Sequence, residues 1–416
     1  MAEEKKRPAD NFGGPIGAGF LTIVLPIVIL YLAFADKFNF SILEIPPIEL
    51  YNLDAKAIFS CFLILSAWII FQAILYLLPL GRRVPGTLLS NGKRLIYNIN
   101  GLSAFIVSHI LLLFFYILKI DISYLFNYYF EFAIASIIFS LGLSVYLYVN
   151  SFREGLLLAE GGDSGNMLYD FFIGRELNPK IGELDLKYYF ELRPGLIGWI
   201  FINYSCLLYH YQTFGYVTPS MLLELFFHFV YCLDAFVYED SVLSMMDITT
   251  DGFGYMLAFG DISWVPIVFS MHTRFLAFNP IELSTTMLAI IFALWIGGYY
   301  IFRVSNSVKC GYRLNPKSPE YADIITISTA RGTKLIVSGL WGMCRHPNYL
   351  GDLMVGLAWC LTCGFSHALP YFYILYFSIL LIHRELRDSS MCQKKYKKDW
   401  DTYCKVVPYR IFPFVY

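Results

Sequence analysis

The sequence predicts an all-α polytopic membrane protein with about ten transmembrane helices, and three observations support this fold class. Hydrophobic residues make up 57% of the 416 residues and aromatic residues 18%, which is too apolar for ordinary soluble domains. Apolar runs of about 20 residues, long enough to cross a bilayer as helices, recur along the chain. Lysine and arginine are concentrated in alternate segments between those runs, as in a membrane protein with a defined orientation.

Eight apolar runs each predict one transmembrane helix. They cover residues 17–34, 57–80, 99–118, 129–150, 195–213, 221–238, 263–279 and 284–302. A further run, 350–382, is too long for one span, and Gly364, His367 and Pro370 interrupt its middle. Because glycine and proline favour a turn there, this run predicts a tight helical hairpin that adds two spans.

The distribution of positive charge predicts the orientation of these spans. With the N-terminus in the cytosol, 27 of the 31 lysines and arginines fall in cytosolic segments. The four exceptions are Lys37, Lys56, Lys119 and Arg274. This asymmetry supports both the number of spans and a cytosolic location of both termini. It also places on the cytosolic side three long polar segments, where a water-soluble cofactor would enter: 151–193, 239–262 and 303–348.

The chain is expected to form a single membrane domain over residues 1–416, since it contains no internal repeat and no Pro- or Ser-rich linker. Residues 1–17 are expected to be a short cytosolic tail before a retained first span. No P-loop, Rossmann glycine motif, G-x-S-x-G or H-E-x-x-H pattern occurs, and Cys360 and Cys363 lie within an apolar run. The sequence therefore predicts no metal site, no Rossmann nucleotide fold and no nucleic-acid binding.

Lys309 and Arg313 follow the eighth apolar run and are four residues apart. On a helix that continues out of the membrane they would share one face. One interpretation is ordinary anchoring at the cytosolic membrane surface. The other is a phosphate clamp, because a lysine ammonium and an arginine fork together suit a phosphate monoester.

The stretch GLWGMCRHPNYLGDLM, residues 339–354, places four polar side chains at the start of the hairpin: Arg345, His346, Asn348 and Asp352. Polar groups are unfavourable in a membrane segment unless they line a cavity or contact a partner. Pro347 indicates a helix start, whose free backbone N–H groups would suit an anion. The pattern favours a functional site over a structural polar cluster.

The segment 231–261 is rich in acids and contains Asp234, Glu239, Asp240, Asp247, Asp251 and Asp261. It lacks an EF-hand or a repeated aspartate spacing, which weighs against a magnesium site. Some of these acids are expected to lie near a cavity, where burial would raise their pKa and make them proton donors. Others are expected to be solvated loop residues or helix caps.

After the last span, Arg384, Asp388, Cys392 and Tyr396 recur at intervals of four residues. They would form one row on a helix and a wall over the mouth of the hairpin. The alternative is a cytosolic amphipathic helix on the membrane surface, which the surrounding charges also suit.

These motifs resemble those of the sterol reductases of the endoplasmic reticulum, in particular the Δ14-sterol reductases and the sterol-reductase domain of the lamin B receptor. The resemblance runs from NFGGPIGA to the final VPYRIFPFVY. Its most specific parts are residues 165–199, 246–261 and 340–352, and GRELNPKIG with ELRPGLIGW resembles the Δ14 branch. Since only about 17 residues precede the first span, the stand-alone enzymes are the closer match.

This resemblance implies an NADPH-dependent enzyme that saturates the C14–C15 double bond of sterol intermediates. It implies a location in the endoplasmic reticulum membrane, with the inner nuclear membrane as a second one. It also implies that residues 303–416 bind NADPH, with Lys309 and Arg313 on its phosphates. The other implied cofactor residues are Ile336, Trp341, Asn348, Tyr349, Arg384, Asp388, Cys392, Lys395, Tyr396 and Tyr403. Val308 departs from the glutamine that relatives commonly carry there.

Reduction of an isolated alkene requires a proton before the hydride, because the alkene is not electron-poor. The acid must lie in a dry cavity, where a carboxyl group keeps its proton near neutral pH. The candidates are Tyr238, Asp247 and Asp251, and the ring of Tyr255 could stabilise the cation that forms.

Three other functions stay open at this point. Membrane methyltransferases of prenylated cysteine carry a similar RHPNYLG-like element, but they are shorter and need no phosphate clamp. A nuclear-envelope scaffold with weak catalysis is a non-enzymatic alternative, and a sterol Δ7 reductase is a related enzymatic one. The complete set of cofactor residues favours a Δ14-reducing enzyme.

Overall fold

The computed structural model of the protein describes residues 9–42 and 53–416. Helices dominate it, which confirms the predicted helical fold class, and the chain forms two compact units, Met1–Pro280 and Ile281–Tyr416. The helices of the N-terminal unit are α1 (Gly14–Ala33), α2 (Ala55–Leu77), α3 (Gly101–Ile117), α4 (Tyr124–Asn127), α5 (Tyr129–Asn150), α6 (Met167–Ile173), α7 (Leu186–Leu192), α8 (Pro194–Phe214), α9 (Pro219–Val237), α10 (Met246–Thr249), α11 (Tyr255–Phe259), α12 (Val265–Phe269) and α13 (Met271–Phe278). Those of the C-terminal unit are α14 (Thr285–Leu314), α15 (Leu340–Met343), α16 (Pro347–Thr362), α17 (Phe372–Tyr396) and α18 (Lys398–Val406).

Several of these helices have the length and composition of membrane spans. Within residues 9–42 and 53–416, five helices are long and apolar enough to cross a bilayer: Asn11–Ala33, Ala55–Leu77, Tyr129–Asn150, Pro219–Val237 and Thr285–Leu314. The helix Gly101–Ile117 is apolar but shorter. The protein is therefore a multi-pass membrane protein. The apolar run 350–382 divides into α16 and α17, and Gly364 adopts a positive φ in the break.

The seventh predicted helix, 263–279, does not form as one continuous helix. In its place the chain builds α11, a π-helical turn over Gly260–Trp264, α12 and α13. Pro266 lacks the N–H that would continue a regular α-helical ladder. The result is a series of short segments that redirects the chain, and π turns of this kind often occur at functional sites.

The structure also contains elements that the all-α prediction lacks. Three two-stranded antiparallel sheets occur in the described ranges, and each pairs consecutive strands in a polar segment. Their strands are β1 (Arg82–Pro85) with β2 (Ile96–Ile99), β3 (Lys180–Ile181) with β4 (Leu184–Asp185), and β5 (Thr326–Ser328) with β6 (Lys334–Ile336). They are too short to show a strand periodicity in the sequence.

The C-terminal unit is organised by a close contact between α14 and α16. A Cβ atom added to Gly298 would lie 2.8 Å from the carbonyl oxygen of Gly351, and one added to Gly351 would lie 2.5 Å from the backbone nitrogen of Phe302. Small residues at facing positions allow helix backbones to approach this closely in membranes. The contact therefore sets the position of the start of α16 relative to the polar end of α14.

We predict that Gly298→Val destabilises the protein by about 3 kcal/mol, because the new side chain meets backbone that cannot move aside. Gly297→Val is the matched control, since the nearest atom to its Cβ is the flexible end of Met354 at 3.7 Å. Thermal unfolding of the detergent-purified variants measures the difference. Equal melting temperatures would show that the α14–α16 contact does not limit stability.

Candidate functional site

The residues expected to bind the cofactor all belong to the C-terminal unit. Lys309 and Arg313 lie at the end of α14, Ile336 on β6, Trp341 on α15, Asn348 and Tyr349 at the start of α16, Arg384, Asp388, Cys392, Lys395 and Tyr396 on α17, and Tyr403 on α18. The helix α14 extends to Leu314, well beyond the predicted apolar run. Lys309 and Arg313 therefore follow one another on a single continuous helix, as the spacing predicts.

Lys309 is positioned by an aromatic side chain. Its Nζ atom lies 4.6 Å from the centre of the Trp341 ring, within the range of a cation–π contact. The indole N–H of Trp341 in turn donates to the carbonyl oxygen of Ser305 at 3.0 Å. Arg313 and Asp388 are both within electrostatic range of the Lys309 ammonium. Four of the expected cofactor residues therefore form one polar group of side chains: Lys309, Arg313, Asp388 and Trp341.

Arg345, singled out in the polar stretch 339–354, has a structural role. Its guanidinium donates to the carbonyl oxygens of Val407 at 3.1 Å and Pro408 at 2.7 Å. The backbone N–H groups of Arg345 and His346 donate to the carbonyl oxygens of Tyr409 and Arg410, both at 2.9 Å. This segment therefore holds the C-terminal residues against the start of α16.

A second arginine completes this attachment and was not recognised in the sequence. The Arg410 guanidinium lies 2.7 Å from a carboxylate oxygen of Glu385, which is fully buried on α17. An acid and a base 25 residues apart give no local pattern, so only the fold identifies the pair. Together Arg345 and Arg410 make the C-terminal segment part of the wall around the start of α16.

His346 is held as a neutral side chain. Its ring stacks on that of Tyr349 at a centroid distance of 4.7 Å, and its Nε2 atom lies 3.8 Å from the Asp388 carboxylate. Burial and the nearby Lys309 and Arg345 charges lower the pKa of His346 to about 3. At neutral pH the imidazole therefore adds no charge to the site.

Asn348 provides a buried acceptor. Its Oδ1 atom is buried and has no hydrogen-bond partner among residues 9–42 and 53–416. A buried amide oxygen without a donor is unfavourable by roughly 1–3 kcal/mol, so such atoms commonly face a ligand or water. This atom and the cations of α14 fit a ligand that offers both hydrogen-bond donors and negative charge.

Two of the expected cofactor residues are mainly packing residues. Tyr403 is buried with Trp400 and Val407 in a hydrophobic cluster, and the centres of the Tyr403 and Trp400 rings are 4.9 Å apart. Burial raises the pKa of the Tyr403 hydroxyl. Cys392 packs against the same cluster, and its Sγ atom lies 3.9 Å from an Asp388 carboxylate oxygen. Both side chains therefore stabilise the part of α17 that carries Asp388.

The expected proton donors belong to the N-terminal unit. Asp247 and Asp251 are buried on and after α10, whereas Tyr238 follows α9 and is 41% exposed. The structure therefore brings the two aspartates together and leaves the tyrosine nearer the surface. Tyr255 is buried, and its ring lies 5.7 Å from Phe171 and 5.2 Å from Phe259.

A buried lysine lies among these acids. The Lys187 ammonium donates to the carbonyl oxygens of Ile248 and Asp251, both at 2.8 Å. Burial lowers its pKa to about 8, while Asp247 and Asp251 favour its charged form. The lysine was missed in the sequence because a single lysine in an amphipathic segment resembles a surface residue.

Asp261 is an acid whose pKa is raised mainly by burial. It lies on the π-helical turn Gly260–Trp264, outside the five candidate spans, and its Oδ2 atom has no hydrogen-bond partner in the part of the chain that the structure describes. Burial raises the pKa of its carboxyl group well above the usual range, and Glu191 and Asp247 raise it further. These surroundings favour the protonated form of the acid.

An apolar cavity of about 610 Å³ borders the segment that follows Asp261, through Ile262, Pro266 and Ile267. Among its lining residues are Ile64, Trp68, Leu112, Phe132, Phe201 and Ile262. Gly195 also lines it, and a Cβ atom at that position would lie 2.0 Å from the Asp261 carbonyl oxygen. A glycine is therefore required where α8 meets the π-helical turn, and this contact brings the backbone of Asp261 close to a residue that lines the cavity.

A buried ion pair holds the start of α8. Arg193 and Glu239 are both buried, with 2.8 Å between their charged atoms. The Glu239 carboxylate also accepts from the Tyr188 hydroxyl at 2.6 Å and from the Gly101 backbone N–H at 2.7 Å. Glu239 was one of the acids in the segment 231–261, and its role is structural.

A helical membrane protein that combines an apolar cavity with buried acids and a charged polar site belongs to the membrane enzymes of lipophilic substrates. The chain matches the Ergosterol biosynthesis ERG4/ERG24 family over residues 9–416 and belongs to this family. The resemblance to sterol reductases noted in the sequence is thereby confirmed.

Individual relatives are similar over most of the chain. It is 46% identical over 404 residues to Delta(14)-sterol reductase LBR of Gallus gallus, which covers 96% of this chain but 63% of that protein. It is 45% identical over 416 residues to Delta(14)-sterol reductase TM7SF2 of Mus musculus, over the full length of both. It is 41% identical over 424 residues to Delta(14)-sterol reductase erg24 of Schizosaccharomyces pombe, covering 100% of this chain and 99% of that protein.

We predict that Glu239→Gln lowers stability by about 3–5 kcal/mol, because it leaves the Arg193 charge buried and uncompensated. The neighbouring Asp240→Asn is the control: it breaks an exposed pair with Arg82, whose atoms are 2.7 Å apart, and should change stability by less than about 1 kcal/mol. Denaturant or thermal unfolding in detergent compares the two. A Glu239→Gln protein as stable as the control would contradict a structural role for the ion pair.

Proposed function

We propose that this protein reduces the C14–C15 double bond of a sterol, using NADPH as the hydride source. The observation that carries the proposal is the 45% identity over the whole chain to a protein named Delta(14)-sterol reductase, together with similar identities to two other proteins of that name. The apolar cavity and the polar site described above supply the two environments that such a reaction needs.

The cavity of the N-terminal unit is the proposed sterol site. Its volume of about 610 Å³ lies within the roughly 300–1,000 Å³ that is typical of small-molecule sites. The polar groups at its edge are turned away from it: the Trp68 indole donates to the Pro194 carbonyl oxygen at 3.0 Å, and the Tyr129 hydroxyl to that of Ile267 at 2.8 Å. The remaining apolar surface suits a fused-ring hydrocarbon.

The C-terminal unit is the proposed cofactor site. The set of expected residues contains four cations and one acid. The cations are Lys309, Arg313, Arg384 and Lys395, and the acid is Asp388. Such an excess of positive charge fits the phosphates of NADPH, and the buried Asn348 oxygen supplies an acceptor. When bound, NADPH supplies the hydride. Ile336, Trp341, Tyr349 and Tyr396 would line the remaining surface, with Cys392 and Tyr403 supporting it from beneath.

Asp261 is the proposed first candidate for the proton donor. Burial raises the pKa of its carboxyl group well above the usual range, its backbone lies against the cavity-lining Gly195, and one of its carboxylate oxygens has no hydrogen-bond partner in the described residues. Transfer of its proton to the alkene would leave a carboxylate and a tertiary carbocation, which then takes the hydride. Asp247, Asp251 and Tyr238 stay candidates, and the Lys187 ammonium would stabilise the carboxylate that Asp247 or Asp251 leaves after donating its proton.

The proposal includes the predicted topology. Ten spans, with α16 and α17 as the final hairpin, would place both termini in the cytosol. The ends of α14 and α17 that carry the cofactor residues would then meet cytosolic NADPH directly. The proposal also includes an endoplasmic reticulum location, with the inner nuclear membrane as a second one, as the resemblance to sterol reductases implies.

We predict that Lys309→Met and Asn348→Asp each weaken NADPH binding at least tenfold, or about 1.4 kcal/mol. The first removes a cation from the phosphates, and the second replaces an amide by a carboxylate beside them. Lys56→Met, which removes a lysine from the start of α2 in the N-terminal unit, is the charge-matched control. Fluorescence titration of the purified proteins with NADPH measures the change, and unchanged affinity in both variants would place the cofactor elsewhere.

We predict that the wild-type protein restores Δ14 reduction in cells that lack it, and that Asp261→Asn lowers this activity at least 100-fold, since general acids contribute about 10²–10⁴-fold. Variants Asp247→Asn, Asp251→Asn and Tyr238→Phe identify the donor if Asp261 is not it, and Asp240→Asn is the active control. Mass spectrometry of cellular sterols measures the activity, and NADPH titration verifies that inactive variants are folded.

Two results would contradict the proposal in different ways. Accumulation of Δ14 sterols despite good expression of the wild-type protein would contradict the sterol reductase function itself. Full activity of all four acid variants would exclude their groups as the proton donor while leaving the function in place.

A further inference from the structure

Three side chains with metal-binding atoms meet in the N-terminal unit. Glu224 and His228 lie one turn apart on α9, and His272 lies on α13. All three are completely buried, and their ligand atoms lie within 4.8 Å of one another. The nearest approaches are 2.8 Å from the Glu224 carboxylate to His228 Nε2 and 3.5 Å to His272 Nδ1.

Of these separations, the 2.8 Å one is a hydrogen-bond distance, whereas the 3.5 Å one fits shared coordination. Two donor atoms bound tetrahedrally to one zinc ion at about 2.0–2.1 Å lie roughly 3.3 Å apart. The 3.5 Å between Glu224 and His272 is close to that value and exceeds the usual N–H···O distance of about 2.7–3.2 Å. Small side-chain adjustments would therefore bring the three donors to one ion.

The residues around the cluster hold the His228 ring in place. His228 is oriented from behind by Asn203 of α8, whose amide lies 3.0 Å from Nδ1. Thr273 holds that amide in turn, with its hydroxyl 2.5 Å from the amide oxygen. Trp199 covers the His228 ring at a centroid distance of 4.6 Å. Metal binding at Nε2 would require Nδ1 to carry the ring proton and the Asn203 amide to turn its oxygen toward it.

Ser220 supplies an independent observation. It lies one turn before Glu224 on α9, so that Ser220, Glu224 and His228 share one helix face. Its hydroxyl is completely buried and has no hydrogen-bond partner anywhere in the described ranges. A buried hydroxyl without a protein partner one turn from Glu224 would be satisfied by a water bound near the ion.

We propose that Glu224, His228 and His272 bind a divalent first-row transition-metal ion, for which zinc is the best match in charge and ligand type. Two neutral imidazoles and one carboxylate are established ligands for zinc, and iron(II) accepts the same set. The ion would offset the charge of a carboxylate that is buried without exposure to water. It would join α9 to α13 as a structural element, separate from the sterol reduction proposed above.

This proposal departs from the sequence prediction of no metal site. The spacing E-x-x-x-H at 224–228 matches no common metal motif, and His272 lies 44 residues further along the chain. The three ligands become recognisable only when α13 packs against α9.

The test begins with the metal content of the wild-type protein, purified without a polyhistidine tag or chelator and measured by inductively coupled plasma mass spectrometry. We expect about one zinc or iron ion per chain. Removal of the ion by 1,10-phenanthroline should lower the melting temperature by about 5 °C, and added Zn²⁺ should restore it. Addition of Co²⁺ to the metal-free protein should produce visible d–d absorption bands.

His272→Gln and Glu224→Gln keep the side-chain size and should lose the ion, the Co²⁺ bands and the sensitivity to chelator. His109→Gln, which replaces a histidine of the same unit that belongs to a different contact, should keep all three. Wild-type protein without bound metal and without Co²⁺ bands would overturn the proposal, whether or not the variants fold. Metal retained by both ligand variants would overturn it equally.

Discussion

The buried Arg193–Glu239 ion pair is the constraint on which the N-terminal unit depends. It joins the start of α8 to the end of α9, and the same carboxylate caps the start of α3 through Gly101. Two opposite charges in an apolar interior are tolerated only when both are matched and hydrogen-bonded. Because Arg193 directly precedes α8, the pair sets where Pro194 and Gly195 lie, and these residues border the cavity and the Asp261 turn.

The other polar groups of this unit are each stabilised in a different way. Lys187 donates to two carbonyl oxygens and lies among acids, so its charge is compensated by several partners. Asp261 has fewer partners, and burial raises its pKa, which favours its neutral form. Glu224 lies against two histidines, where a cation would complete the balance. The same burial that makes these groups unfavourable also gives them chemistry that exposed residues of the same type lack.

In the C-terminal unit, residues of one motif make different kinds of contact. In residues 339–354, Arg345 holds the C-terminal segment, whereas Asn348 presents a buried acceptor and His346 stacks on Tyr349. The close contact of Gly298 with Gly351 brings the start of α16 to the charged end of α14. A polar stretch at a helix start is therefore best interpreted residue by residue, since neighbouring side chains point to opposite sides.

The sequence by itself determined the class of the protein and most of its helices, because hydrophobic length and charge asymmetry are local properties that the bilayer selects. It also determined the family, and the shared helix face of Lys309 and Arg313, which follows from a spacing of four residues. Only the tertiary structure decided that the seventh apolar run is broken, that Glu239 and Arg345 are structural, and that the segment following Asp261 borders a cavity. Only it brought Glu224 and His228 to His272. These features depend on contacts between distant helices, and no local pattern in the chain records which helices pack together.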